Sequence, residues 1–236
     1  CDCDYYSVGC CTSPWSTDTT DPFVARFSES GVAQWAVTAS GMGTDNMKDI
    51  DADATGAGVW VLTQMGHVAG TSITVGSSSF ASMSPHSAIA FHVDSSGTVT
   101  NAAMIYASSG DVMPHVYSIV GVSDGYYLSG DKCSPESTLT LGSQTLTSMG
   151  AYVAHYSTST NDFDGLKEIP GSPWPELRSL VAGTGSDVLV MAKFHDPASN
   201  NFLYGNVYSG TLISFANQLV VLKLAAPPSP SPPPSP

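Results

Sequence analysis

Residues 73–83 read ITVGSSSFASM and residues 139–149 read LTLGSQTLTSM, nearly the same eleven-residue phrase written twice, 66 positions apart. Ile73 and Val75 answer to Leu139 and Leu141, Gly76 to Gly142, Phe80 to Leu146 and Met83 to Met149, with Ser or Thr at most positions between. A chance likeness of composition would not keep that order, so the pair marks an internal repeat.

A second alignment agrees with the first. The runs FVARF (23–27), IAFHV (89–93), YVAHY (152–156) and VVLKL (220–224) each set one basic residue among apolar neighbours. Arg26, His92, His155 and Lys223 share one column, at spacings of 66, 63 and 68. Within each interval a turn and strand come first, then a strand, a Gly-containing turn and another strand, then the duplicated phrase, weakened in the third copy to GTLISFANQ. Short β-branched and aromatic runs bounded by Gly, Ser and Asp are strand and hairpin signals, and no stretch shows a capped 3.6-residue apolar period.

The expected fold is therefore all-β, with three blade-like antiparallel repeats of 63–68 residues, at 23–88, 89–151 and 152–219, and four or five strands in each. A unit so thin cannot bury both faces alone, so neighbours must stack. Residues 219–224 are left over, and the expectation is that this strand completes the sheet begun at the other terminus, closing a β-propeller-like array. Three domains follow: a Cys-rich arm at 1–21, the β-repeat domain at 22–225 and a Pro/Ser-rich tail at 226–236.

Seven Lys plus Arg against twenty Asp plus Glu give a net charge of −13, which argues against nucleic acid as a partner because a phosphate backbone needs a cationic patch. No run of eighteen apolar residues predicts membrane insertion. Four of five cysteines, Cys1, Cys3, Cys10 and Cys11, crowd into the first eleven residues, with Cys133 alone later. The expectation is a mature secreted chain whose cysteines form disulfides in an oxidising compartment. The spacing is not that of a structural zinc site. An odd count leaves one thiol free or paired with another chain.

Several stretches invite a chemical reading. Gly121-Val122-Ser123-Asp124-Gly125 fits G-x-S-x-G, but the nucleophile elbow needs a helix after its serine, whereas Tyr126, Tyr127 and Leu128 predict a strand. A tight hairpin explains these glycines better, and no catalytic residue is assigned. Asp49, Asp51 and Asp53 form D-x-D-x-D, with Asp45 a further oxygen donor for calcium, yet Ala54 and Trp60 stand where an EF-hand loop wants Gly and Glu. Strand alternation is the simpler account, with Ile50, Ala52 and Ala54 on one side and the aspartates on the other. No other cofactor is expected.

The basic column is read as an outward position where charge suits solvent, in preference to a functional ring. His67, His86, His115 and His195 show no metal spacing. Tyr126, Tyr127, Trp174 and Tyr204 would stack on sugar rings if exposed and otherwise belong to the core. The insertion at 170–178, containing WPELR, carries no assignable chemistry.

The first copy, Asp21 to Thr63, resembles the seven-bladed β-propeller repeats of secreted proteins, with Phe23, Val24, Ala25, Phe27, Gly31 and Trp35 at the family's positions. The second copy keeps Ile89, Gly97 and the Gly125 turn. Propellers use four to eight blades of roughly 40 to 50 residues. Three longer units mean extra strands, an open array, or a piece of a longer polypeptide.

The tail, Pro227, Pro228, Ser229, Pro230, Ser231, Pro232, Pro233, Pro234, Ser235 and Pro236, predicts a solvated polyproline II rod. It is similar to the hydroxyproline-rich glycoproteins of green algae and plants, which build cell walls, matrix and the flagellar hairs called mastigonemes. That resemblance implies hydroxylated prolines with arabinose-type chains and serines bearing galactose. No N-x-S/T sequon occurs, so the glycans would be O-linked. The expected function is that of a non-catalytic extracellular structural glycoprotein, self-associating or bound to other matrix glycoproteins. The alternatives are a carbohydrate-binding module on a stalk and a secreted hydrolase using Ser123.

Overall fold

A computed structural model of the chain describes residues 21–41, 45–66, 72–81, 86–107, 115–132, 138–148, 150–169, 176–182, 188–194, 201–204, 207–211 and 218–224. Strands account for almost all of these segments, and none of the described residues is helical.

The first unit contains β1 (Phe23–Phe27), β2 (Ala33–Ser40), β3 (Asp45–Ala52), β4 (Gly58–Gly66), β5 (Ser72–Val75) and β6 (Ser78–Ala81). The second contains β7 (His86–Asp94), β8 (Val99–Ala107), β9 (His115–Val122), β10 (Gly125–Lys132), β11 (Leu139–Leu141) and β12 (Gln144–Leu146). The third contains β13 (Gly150–Ser157), β14 (Asp162–Ile169), β15 (Glu176–Ala182), β16 (Val188–Phe194), β17 (Asn201–Tyr204) and β18 (Val207–Thr211), with β19 (Gln218–Leu224) after it.

Each unit thus holds three hairpins and six strands, more than the four or five expected. The extra strands come from the duplicated phrase itself, which is not one strand but a hairpin, β5–β6 in one copy and β11–β12 in the other. Gly76 and Gly142 stand first in its two-residue turns at φ 57° and 54°, the left-handed value a two-residue hairpin favours there.

The sheets do not respect the unit boundaries. The second sheet runs β3-β4-β7-β8-β11-β12, so the central hairpin of the first unit joins the outer hairpins of the second. The third runs β9-β10-β13-β14 by the same rule, and the fourth runs β15-β16-β19. Among the described residues the first sheet, β1-β2-β5-β6, has the two outer hairpins and no central one. All the pairings are antiparallel, and three of them, β4–β7, β10–β13 and β16–β19, are the same joint repeated. β17 and β18 pair with each other.

The leftover strand is therefore paired, but not as expected. β19 bonds β16 from Val188↔Leu224 to Phe194↔Gln218, whereas the described partner of β1 is β2. A central hairpin takes its neighbour from the unit that follows, and β19 supplies that strand for the third. No closed barrel or propeller forms among the described residues.

The sheets pack face to face. Val24, Val37, Ala39, Ile73 and Val75 of the first meet Val61, Met65, Ile89, Phe91 and Val93 of the second. The opposite face of the second sheet, with Trp60, Leu62, Ala88, Ala90 and Ile105, meets Ile119, Tyr126, Leu128, Tyr152, Tyr156 and Phe163 of the third. Tyr126 stacks on Tyr156 with centroids 4.9 Å apart and leans on Trp60 at 4.6 Å. Strands β10 and β13 are buried along their whole length, polar residues such as Ser129, Asp131 and His155 included, so neither shows the alternation of a half-exposed strand. Tyr126 lies in this interior and Tyr127 is buried on the other face of the third sheet against His155, whereas Trp174 lies outside the described residues.

Candidate functional site: the polar joints and the cleft between them

The two histidines of the basic column are buried, contrary to the outward position expected from sequence, whereas Arg26 is exposed as expected. His92 is 9% exposed and His155 only 4%. His92 lies opposite Trp60 on β4, and His155 opposite Tyr127 on β10, with each ring against its aromatic partner at 4.7 and 4.6 Å. Both His92 ring nitrogens are hydrogen-bonded, and His155 is hydrogen-bonded at Nδ1 with a carboxylate facing its Nε2, as burial requires. His92 Nδ1 meets Thr100 Oγ1 at 2.6 Å and Nε2 meets Asp53 Oδ2 at 3.1 Å. His155 Nδ1 meets Asp164 Oδ1 at 2.6 Å and Nε2 lies 3.5 Å from Asp124 Oδ1.

In both cases one partner comes from the turn of the preceding hairpin and the other from the strand that follows. Burial by itself would raise the Asp53 carboxyl, but the Thr55 amide and hydroxyl together with the His92 ring outweigh it and hold it below the usual range. Arg26 uses its place in the column differently. Its Nη1 donates to the Ser95 carbonyl at 3.1 Å, and Trp35 Nε1 donates to the same oxygen at 3.0 Å, tying the first sheet to the β7–β8 turn. Lys223 occupies the corresponding register position, opposite Leu189.

The D-x-D-x-D stretch alternates as the strand reading expects. Ile50 and Ala52 face solvent, while Asp49 and Asp51 turn inward to β9. Asp49 Oδ2 accepts from Ser118 Oγ at 2.6 Å and from the Ile119 amide at 3.0 Å, and Asp51 Oδ2 accepts from the Gly121 amide at 2.9 Å. An edge strand presents unpaired amides, and these carboxylates cap them. The four candidate calcium ligands have separate partners. Asp53 serves His92, while Asp45, 4% exposed, lies at the start of β3, where burial lifts its carboxyl to about 6 against a hydrogen bond from the Gly66 backbone, with the Asp21 charge adding to the rise. No group of three or more His, Cys, Asp or Glu is placed to hold a metal among the described residues.

The next joint repeats the device with neutral groups. Ser118 Oγ accepts from the Leu180 amide at 3.1 Å, and Ser129 Oγ donates to the Leu177 carbonyl at 3.0 Å. Asn101 and Asn161 meet at 3.0 Å under the Tyr156 hydroxyl.

Between the second and third sheets lies a cleft of about 230 Å³ lined by Asp53, Thr55, Trp60, His92, Thr100, Asn101, Val122, Ser123, Gly125 and Thr158. Ser123 stands in the β9–β10 turn, followed by a strand rather than a helix. His92 is in the same cleft, but Thr100 and Asp53 engage both its ring nitrogens. The lining combines hydroxyls, an amide and a carboxylate with Trp60, which is 4% exposed.

Sequence reasoning missed Thr100, Asp124, Asp164, Ser118 and Asn161. One signal was available for Asp124: in the sequence an aspartate recurs in the Gly-containing stretch of each copy, as Asp53, Asp124 and Asp187. The cysteines Cys1, Cys3, Cys10, Cys11 and Cys133, the histidines His67 and His195, and the tail from Pro227 to Pro236 lie outside the described residues. His115 instead joins Asp131 at 3.0 Å. No family model matches the chain, and no curated protein matches it.

Proposed function

We propose that this chain is a non-catalytic structural subunit of an extracellular fibre, cell-wall layer or flagellar hair of the mastigoneme kind. Its three blade-like units form a propeller-like stack, and its Pro/Ser tail is a hydroxylated, O-glycosylated rod. Disulfides of the cysteine arm clamp the head or link chains. The observation that carries the reading is the repeated joint, in which the central hairpin of one unit is completed by the first strand of the next. An array built this way transmits load through backbone hydrogen bonds and buried faces. The polar groups most suggestive of chemistry, His92, His155, Asp49 and Asp51, are engaged in holding strands in place.

The test is the intact mass of the native protein before and after chemical deglycosylation. A native mass well above that of the bare chain, collapsing on treatment, is expected. A mass equal to the unmodified chain would sink the reading.

The cleft favours a second reading, a carbohydrate-binding module on a Pro-rich stalk, because it places Asp53 and Asn101 beside Trp60. Saturable binding on a glycan array, lost in Asn101→Ala, is its signature.

A further inference from the structure

The two faces of β3 are tied differently. Residues directly opposite on paired strands share a face, so Asp49 and Asp51, opposite Leu62 and Trp60, lie on the side of the third sheet, where they bond β9. Asp45 is opposite Met65 and lies on the side of the first sheet. It is 4% exposed, and Met65 beside it is 0% exposed. A Cβ on Gly41, just after β2, would stand 3.7 Å from Asp45 Oδ2, 3.6 Å from Ile73 and 3.9 Å from Met65, which puts the carboxyl in the seam between the two sheets. Gly66, which bonds that carboxyl through its backbone, is the last residue of β4 before the chain returns to the first sheet.

Packing rather than strand pairing holds that seam. Among the described residues no strand of the first sheet pairs with one of the second. Arg26 and Trp35 tie the far end to the Ser95 carbonyl, and the body of the contact is apolar, with Ile73 and Val75 against Met65, Ile89 and Phe91. The first sheet can therefore lift without breaking a strand ladder. A neutral carboxyl tolerates such a seam, whereas a carboxylate draws water into it.

We propose that Asp45 is a proton-operated latch on the first sheet. Protonated, it lets that sheet close over the second; ionised, it favours an opening that uncovers Met65 and its apolar neighbours. Burial raises this carboxyl from 3.8 to about 6, the Gly66 backbone opposes the rise and the Asp21 charge adds to it. Between those values the closed form holds a proton that the open form has released, so closure is strongest below about pH 4 and weakens as pH rises through 6. From β2, β4 and β5 the neighbours are the uncharged Gly41, Met65 and Ile73. The titratable and charged groups nearby are Asp21 ahead of β1, Lys48 farther along β3, and His86, opposite Gly66 on β7. The apolar face of the second sheet is thus hidden in acid and made available towards neutral pH.

Methionine oxidation in the full chain reads the opening. Hydrogen peroxide converts an uncovered thioether to the sulfoxide with release of water, and Met47, 37% exposed on the same sheet, is the internal reference. Peptide mass spectrometry should show Met65 oxidised about fiftyfold faster at about pH 7 than at about pH 4, relative to Met47. The amides of Leu128 and Ala154, paired in the third sheet, should exchange far less often than Met65 is uncovered. Asp45→Asn, which cannot ionise, should oxidise at one relative rate at both pH values, and His86→Gln should keep the native rise. A relative rate that stays flat in the native chain, a rise that persists in Asp45→Asn, or a rise lost in His86→Gln overturns the inference. Third-sheet amides that exchange as often as Met65 is uncovered also overturn it, because the molecule would then be opening as a whole.

Discussion

Strands β3 and β9 open the central hairpins of successive units and pair with β4 and β10 in matching register, yet they have opposite characters. β9 has sheets packed on both sides and is apolar from Ile119 to Val122, with a single serine, Ser118, placed to bond both neighbours. β3 has a full neighbour on one side alone, and there it places acids rather than hydrocarbons, leaving Ile50 to solvent. The difference teaches that a residue in this repeat is set by the sheet lying over it, not by its position in the unit. Asp51 and Val120 occupy equivalent registers; one caps the edge amide of Gly121, and the other fills a dry interface.

The sharpest way to break that comparison is to truncate the equivalent isoleucines. Ile119→Ala should destabilise the fold by about 3 to 4 kcal/mol in urea unfolding, because it opens a cavity between two sheets. Ile50→Ala should cost no more than about 0.5 kcal/mol in a dilute monomer. Equal losses would mean that the two strands are equally covered.

Next in size is a pH effect at the start of β3. The Asp45 carboxyl is raised from 3.8 to about 6, so between those values the folded chain holds a proton that the unfolded chain has released. Its contribution is complete below about pH 4 and is lost as pH rises through 6, a fall of about 3 kcal/mol. Asp94 and Asp162, held below the usual range, act in the opposite sense and only as pH drops below about 4. Asp45→Asn should flatten stability between pH 4 and 6. An unchanged slope would show that Asp45 is not its source.

Removing the edge caps separates the two aspartates. Asp49→Ala strands a buried hydroxyl and an amide and should cost about 2 to 3 kcal/mol, against about 1 kcal/mol for Asp51→Ala, which strands one amide. Amide hydrogen exchange should accelerate at Ile119 in the first variant and at Gly121 in the second. Faster exchange at neither would show that β9 does not depend on these caps. Smallest is the expected response to calcium. With Asp49 and Asp51 committed to β9 and Asp53 to His92, millimolar calcium should move the thermal midpoint by less than about 1 °C. A rise of several degrees would place an ion on β3.

Much of the architecture was legible before any coordinates. The duplicated phrase and the Arg26, His92, His155 and Lys223 column gave the unit length and the strand order, because backbone register preserves spacing. The G-x-S-x-G turn could be read as a hairpin from the aromatics after it. Burial of His92 and His155 could not be read, because a lone basic residue in an apolar strand looks the same whether it meets water or an aspartate brought from another turn. The partners Thr100 and Asp164 lie eight and nine residues from their histidines, across a bend that hydrophobic pattern does not specify.

The sequence by itself determined local periodicity, turn positions and the number of units, since these follow from side-chain alternation and from where glycine relieves backbone strain. Only the tertiary structure decided that each sheet draws strands from two units, that β19 serves β16, and which faces are covered. Hydrogen bonds between strand edges and the burial of sheet faces depend on which neighbours meet, and similar hairpins offer several partners until packing selects one.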